Sequence, residues 1–176
     1  MSNMLTKMPL VYEPLRKNRW LLRFPADLGI QEWTLESASR PKISQKSVEI
    51  EFLNTSTYVL GRYTWDSVQV TLRDPIGPSM SQAVMEWVRL ESESLSGRQG
   101  YAAGYKRDIE LDLLDPSGVV VQKWILKNAW ASDVDFGQLA MSDDGLATLL
   151  VYLNKDGKII DALALPLTAD ALAQQV

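Results

Sequence analysis

The segment Leu146–Leu153 (LATLLVYL) constrains this chain more than any other. Side chains alternate between faces along a strand. Ala147, Leu149, Val151 and Leu153 therefore fall on one face, and Leu146, Leu150 and Tyr152 on the other. Both faces are apolar, so the strand cannot belong to a lone sheet with one wet side. Each face needs a cover, from the chain's own elements or from a neighbouring subunit. Just upstream, Val119–Asn128 reads as its companion, with Trp124 and Leu126 on one face and Lys123, Ile125 and Lys127 on the other.

The rest of the chain repeats the strand signal. Arg19–Phe24 places Trp20, Leu22 and Phe24 together, and Trp33–Ala38 alternates until Arg40-Pro41 breaks the run, because proline cannot donate to a ladder. Lys46–Leu53 is expected to turn Val48, Ile50 and Phe52 to a core and Glu49 and Glu51 outward. Trp65–Arg73 turns Val68, Val70 and Leu72 inward. Between these two, Asn54–Thr64 reads as a long connection whose Tyr58, Val59 and Leu60 stay exposed unless something docks on them. Lys106–Leu114 buries Ile109, Leu111 and Leu113 opposite Asp108, Glu110 and Asp112. Asp115-Pro-Ser-Gly118 is a turn, and Lys158–Leu165 is a last strand before a short terminal helix, Ala169–Gln174.

One segment has the helical period. Over about 79–94, Ser79 and Gln82 fit an N-terminal capping box, and Met80, Ala83, Val84, Trp87 and Val88 form one apolar stripe. The expected role of Met80, Val84, Trp87 and Val88 is packing on a sheet; a partner-binding helix is the alternative. Residues 1–18 read as an extended arm. Seven or eight strands, one helix and no βαβ rhythm make a mainly β class, an antiparallel β-barrel or sandwich with one flanking α-helix in a single domain over 1–176.

Composition narrows the chemistry. The 176 residues hold no Cys and no His, which excludes disulfides, thiolate nucleophiles, Ser–His pairs and the usual zinc sites. The net charge is −4, the wrong sign for gripping phosphates and the right one for letting nucleic acid slide past. No segment approaches a membrane span, and the N-terminus lacks the apolar core of a signal peptide, so a cytoplasmic protein is expected. The rows Glu49/Glu51 and Asp108/Glu110/Asp112 each share a strand face, a geometry open to acid–base work or a hard cation. Solvated strand faces are often charged, and no apolar pocket is evident, so no catalytic residue, cofactor or metal is expected. Asp143-Asp144-Gly145 reads as turn chemistry, and the six Trp residues as core packing with one or two interface anchors.

An acidic strand leads into a D-x-x-G turn (Asp115–Gly118), then a tryptophan-bearing strand (Trp124–Asn128) and a V-x-F-G segment (Val134–Gly137). This order, within Gly100–Leu153, resembles the tail tube proteins of contractile-tailed bacteriophages. A polar turn (Ser142–Asp144) precedes a strand ending near Tyr152, and Arg40-Pro41, Asp74 and the Trp87 helix stand in the family's order upstream. Asn154 and a Lys-Asp-Gly turn follow, where the family pattern has an acidic residue and another aromatic.

The resemblance implies a β-barrel with a flanking helix, related to the ring protein of type VI secretion. It also implies six-fold homo-oligomeric rings that stack into a tube within a sheath and on a baseplate. Such a structural virion protein of the tail would be assembled in the host cytoplasm and conduct double-stranded DNA without binding it. On that reading Glu49, Glu51, Asp108, Glu110 and Asp112 face the lumen, and Tyr58, Val59 and Leu60 stack rings. Rivals within the fold are a type VI tube protein, a terminator and a baseplate tube initiator. Outside it stand a carbohydrate-binding sandwich and a carboxylate-dependent hydrolase, which would need a concave pocket holding two of the acidic residues.

Overall fold

A computed structural model of the chain describes residues 13–155 and the backbone of residues 159–162. Most of the expected arm and the expected terminal helix Ala169–Gln174 lie outside the described residues.

The strands are β1 (Trp20–Arg23), β2 (Leu35–Ala38), β3 (Ile43–Phe52), β4 (Thr55–Trp65), β5 (Val68–Arg73), β6 (Arg107–Leu114), β7 (Val120–Asp135), β8 (Thr148–Asn154) and β9 (Ile159–Ala162). Six of them pair antiparallel in the order β1-β6-β7-β8-β5-β2, and β9 pairs with β7. The path does not close: β1 and β2 end it and do not pair with each other. The architecture is therefore the sandwich rather than the barrel. Its two layers share β7, whose first half pairs with β6 and β9 and whose second half pairs with β8.

Strand β7 extends past Asn128, where the sequence pattern ends it. Between the pairs Ile109–Leu126 and Arg107–Ala129 it carries one extra residue, and Asn128 adopts a left-handed conformation, φ 52°. This bulge switches the buried side from Leu126 to Ala129 and Ala131, so the alternation breaks while the strand continues. In β8, Leu149, Val151 and Leu153 are buried as expected and Leu150 and Tyr152 are half-buried. Leu146 precedes the strand and is exposed, a correction to the reading of two fully apolar faces.

Helix α1 (Met80–Glu91) follows β5. Ser79 caps it by accepting from the Gln82 amide at 3.3 Å. Asp74, at the end of β5, accepts from the Met80 amide at 2.8 Å and the Ser81 amide at 3.2 Å. Burial alone would raise the Asp74 carboxyl; the hydrogen bonds from Ser81, Met80 and Ser79 outweigh it and hold it below the ordinary carboxylate value. Met80, Val84 and Trp87 are buried in one cluster with Leu22, Val70 and Leu149, and Val88 packs beside them. The Trp87 indole donates to the Tyr105 carbonyl at 2.8 Å and meets Phe24 edge-on at 6.4 Å. That carbonyl ends α2 (Ala102–Tyr105), a short turn of helix in what the sequence offers as a flexible connector. At the far end of α1, Glu91 accepts from the Ala131 amide at 3.0 Å. Burial pushes its carboxyl up to about 7, against the pull of that hydrogen bond, and the negative end of the helix acts in the same direction as burial.

Trp87→Ala should cost roughly 3–5 kcal/mol, as loss of a buried large aromatic does, and a thermal melt unchanged by it would remove the packing claim. Glu91 gives a pH test. Its folded value near 7 lies above the ordinary 4.5, so the folded state holds the extra proton. Stability should fall as pH rises from about 4.5 to about 7 and level off above. Urea midpoints of Glu91→Gln should lose that part of the slope; an identical slope would assign it to other groups.

Candidate assembly surfaces

Strands β3 and β4 form a two-stranded sheet of their own, paired with none of the other strands among the described residues. The hairpin leaves the body at the end of the layer where β5 begins and β2 ends. Its base is clamped. The Asp66 amide donates to the Lys42 carbonyl at 2.9 Å, and Lys42 Nζ lies 3.0 Å from the Asp66 carboxylate. Buried Lys155, just past β8, donates to the Asp66 carbonyl at 2.6 Å. Burial lowers the Lys155 pKa, with the Asp66 charge opposing. A single lysine after a strand gives no sequence signal for such a clamp, and it goes unpredicted.

Beyond the base, the hairpin is exposed on both faces. Val48, Ile50 and Phe52, expected in a core, are 51%, 49% and 73% accessible. Asn54–Thr64, expected as a connection, is mostly strand β4, because its alternation is masked by a bulge. Lys46 opposes both Gly61 and Arg62 between the pairs Gln45–Tyr63 and Ser47–Leu60. A Cβ at Gly61 would sit 2.9 Å from the Lys46 carbonyl oxygen, so the close approach there requires glycine. The register puts Tyr58 and Leu60 on the face of Glu49 and Glu51, and Val59 on the face of Val48 and Ile50. Tyr58 donates to Glu49 at 3.1 Å. The three residues proposed to act together are thus divided between two faces.

The acidic row of β6 does not form an acidic wall. Lys127 bonds Asp108, and Lys123 lies 2.8 Å from Glu110 and 3.7 Å from Asp112. Arg23 lies 3.4 Å from Asp112. Asp112, expected outward, is fully buried beneath these two cations. The Lys127 side chain and then the Asn128 amide hold Asp108 below its usual range, and Glu110 heads the groups that raise Lys123. A ladder of three carboxylates and three cations covers this side of the sheet.

Two cavities of about 470 and 420 Å³ flank β1 and β2. The first lies at the open seam, over Trp20, Leu111 and Leu113. The second holds Glu32 and Glu36, each 3.9 Å from an arginine, Arg23 and Arg73. None of the five carboxylates singled out above lines either cavity. Among the described residues, no three His, Cys, Asp or Glu side chains are grouped to hold a metal ion.

No protein-family model and no curated protein matches the sequence. In structure the chain is similar to a chain of the anti-feeding prophage cap, a tube-terminating cap. The TM-score is 0.68 at 18% identity, over 92% of this chain and 100% of that one. It is also similar to a chain of the sheath/tube terminator of an extracellular contractile injection system, PVC (TM-score 0.64, 16% identity, 85% and 97% covered). A chain of the PVC sheath–tube complex matches as well (TM-score 0.63, 16% identity, 90% and 97% covered). At these identities the likeness is one of fold alone.

Because the hairpin lies outside the core, replacing Val48, Ile50 and Val59 together by Ser should change the subunit's unfolding free energy by no more than about 0.5 kcal/mol per substitution, the range of surface substitutions. A loss of several kcal/mol in urea would return these side chains to the core.

Proposed function

We propose that the chain is a structural, ring-forming subunit of the inner tube of a contractile tail or tail-like particle, six copies closing a ring and rings stacking into a tube. The observation that carries this reading is the hairpin: a sheet with large apolar side chains on both faces, clamped at its base and uncovered among the described residues. Surfaces of that kind mark interaction sites. The fold likeness supports the same class, since the similar chains come from tube-terminating, sheath–tube and baseplate assemblies. Sheath and baseplate proteins are the partners this role requires, and it requires no catalytic residue or cofactor.

In a virus, the tube conducts the double-stranded genome from the virion tail after assembly in the host cytoplasm. A second reading, an injection particle outside a virus, is favoured by the likeness to chains of an extracellular contractile injection system.

Electron microscopy of the purified protein should show rings and tubes. A variant with residues 47–60, bounded by the Ser47–Leu60 pair, replaced by a two-residue turn should fold and form no tubes. A parent protein that stays monomeric at every concentration sinks the ring reading.

A further inference from the structure

Two short crossings join the hairpin to the sandwich, residues 39–42 from β2 and residues 66–67 into β5. On the body side they are fastened to each other: the Ser39 amide donates to the Gln69 carbonyl and the Gln69 amide to Ser39 Oγ, each at 2.8 Å. On the hairpin side the Asp66 amide and the Lys42 carbonyl close the base. These bonds hold the crossings together but leave the tilt of the ribbon open, since β3 and β4 pair with no other strand among the described residues. The contact that bears on tilt comes from a third strand. Lys155 follows β8, is 7% exposed, and brings its Nζ to 2.6 Å from the Asp66 carbonyl oxygen. An ammonium is a costly way to fill that place. It has three protons to donate and one acceptor among the described residues, and burial works against its charge, with Asp66 opposing. A methionine would fill similar space with no charge to bury, and replacing buried charged groups by packed apolar ones is often neutral or stabilising. The Asp66 carboxylate would still hold Lys42, at 3.0 Å. Stability therefore does not account for the lysine; the directed bond it makes does.

We propose that Lys155 is the positioning residue of the hairpin: its buried ammonium holds the 66–67 crossing in one orientation, so that the apolar faces of β3 and β4 are presented at a fixed angle to the sandwich. The inference rests on the tube reading and deepens it. An assembly surface whose angle is set before contact loses less freedom on binding than one that swings. Being buried, Lys155 acts on assembly through the Asp66 carbonyl and not as part of the contact surface.

The chain contains no Cys, so Asn54→Cys at the hairpin tip and Gln69→Cys on β5 take two nitroxide labels and no others. In protein diluted with unlabelled chains, double electron–electron resonance should give the parent one narrow tip-to-body distance. Lys155→Met should broaden it while the thermal melt stays at or above the parent's, and tubes should then need a higher protein concentration to form. Lys42→Met, which removes an exposed cation from the same base, should leave the distance narrow. A broad distance in the parent, a Lys155→Met distance as narrow as the parent's, or equal broadening by Lys42→Met would overturn the positioning role and leave the tube reading standing. A lowered melt with an unchanged distance would overturn it too, by making Lys155 a packing contact. A parent that forms no tubes while the distances behave as stated would keep the positioning role and sink the tube reading.

Discussion

The structure depends on the bend of β7 at Asn128. A straight sixteen-residue strand would serve a single sheet; the bulge lets one strand serve two layers. Its left-handed residue is one that tolerates φ above zero better than most non-glycine side chains. Asp108 anchors the bend from β6, accepting from the Asn128 amide at 3.0 Å and from Lys127. One carboxylate therefore satisfies the displaced amide and fixes the side chain beside it. Before the bend Leu126 faces the core, and after it Ala129 and Ala131 do. Just past the bend, the last residue of α1, Glu91, accepts from the Ala131 amide.

That arrangement leaves the path open between β1 and β2. Unpaired edges invite association with other chains, and here both are only four residues long. Arg23 at the end of β1 and Glu36 on β2 are engaged in ion pairs, which blunts them further. Helix α1 supplies the cover that β8 demands on one face through Met80, Val84 and Trp87. The other face, with Leu150 and Tyr152, stays half-buried. The strand that most constrained the sequence is therefore satisfied on one side within the subunit, and only in part on the other.

Period and capping make most of this legible in the sequence. The inward triads Val68, Val70, Leu72 and Ile109, Leu111, Leu113 and the Ser79 cap are where alternation and helical spacing place them. Two of the misses share one cause. A bulge inserts a residue and reverses which positions are buried, so β7 reads as ending at Asn128 and β4 reads as a loop around Gly61. Alternation also cannot tell a core face from an apolar face awaiting a partner, which is why Val48, Ile50 and Phe52 were expected inside. Asp112 shows the converse. Its place opposite Leu111 and Leu113 says outward, but Arg23 and Lys123 arrive from neighbouring strands and bury it. No single-strand pattern carries that information.

The charge ladder changes what a tube built from this chain would offer its contents. Were the side of the sheet bearing Asp108, Glu110 and Asp112 to line a lumen, each carboxylate would arrive already matched by Lys127, Lys123 or Arg23. A wall of alternating, paired charges neither collects phosphates by counterion release nor projects a single-sign field beyond about 8 Å, the screening length at physiological ionic strength. The carboxylates of the five that no cation matches among the described residues are Glu49 and Glu51 on the hairpin; Glu49 accepts from the Tyr58 hydroxyl, which brings no charge. Non-adhesion would then come from local neutrality of the sheet rather than from an acidic surface. Such neutrality suits a nucleic acid and a folded protein equally, so this sheet alone does not commit the tube to one cargo.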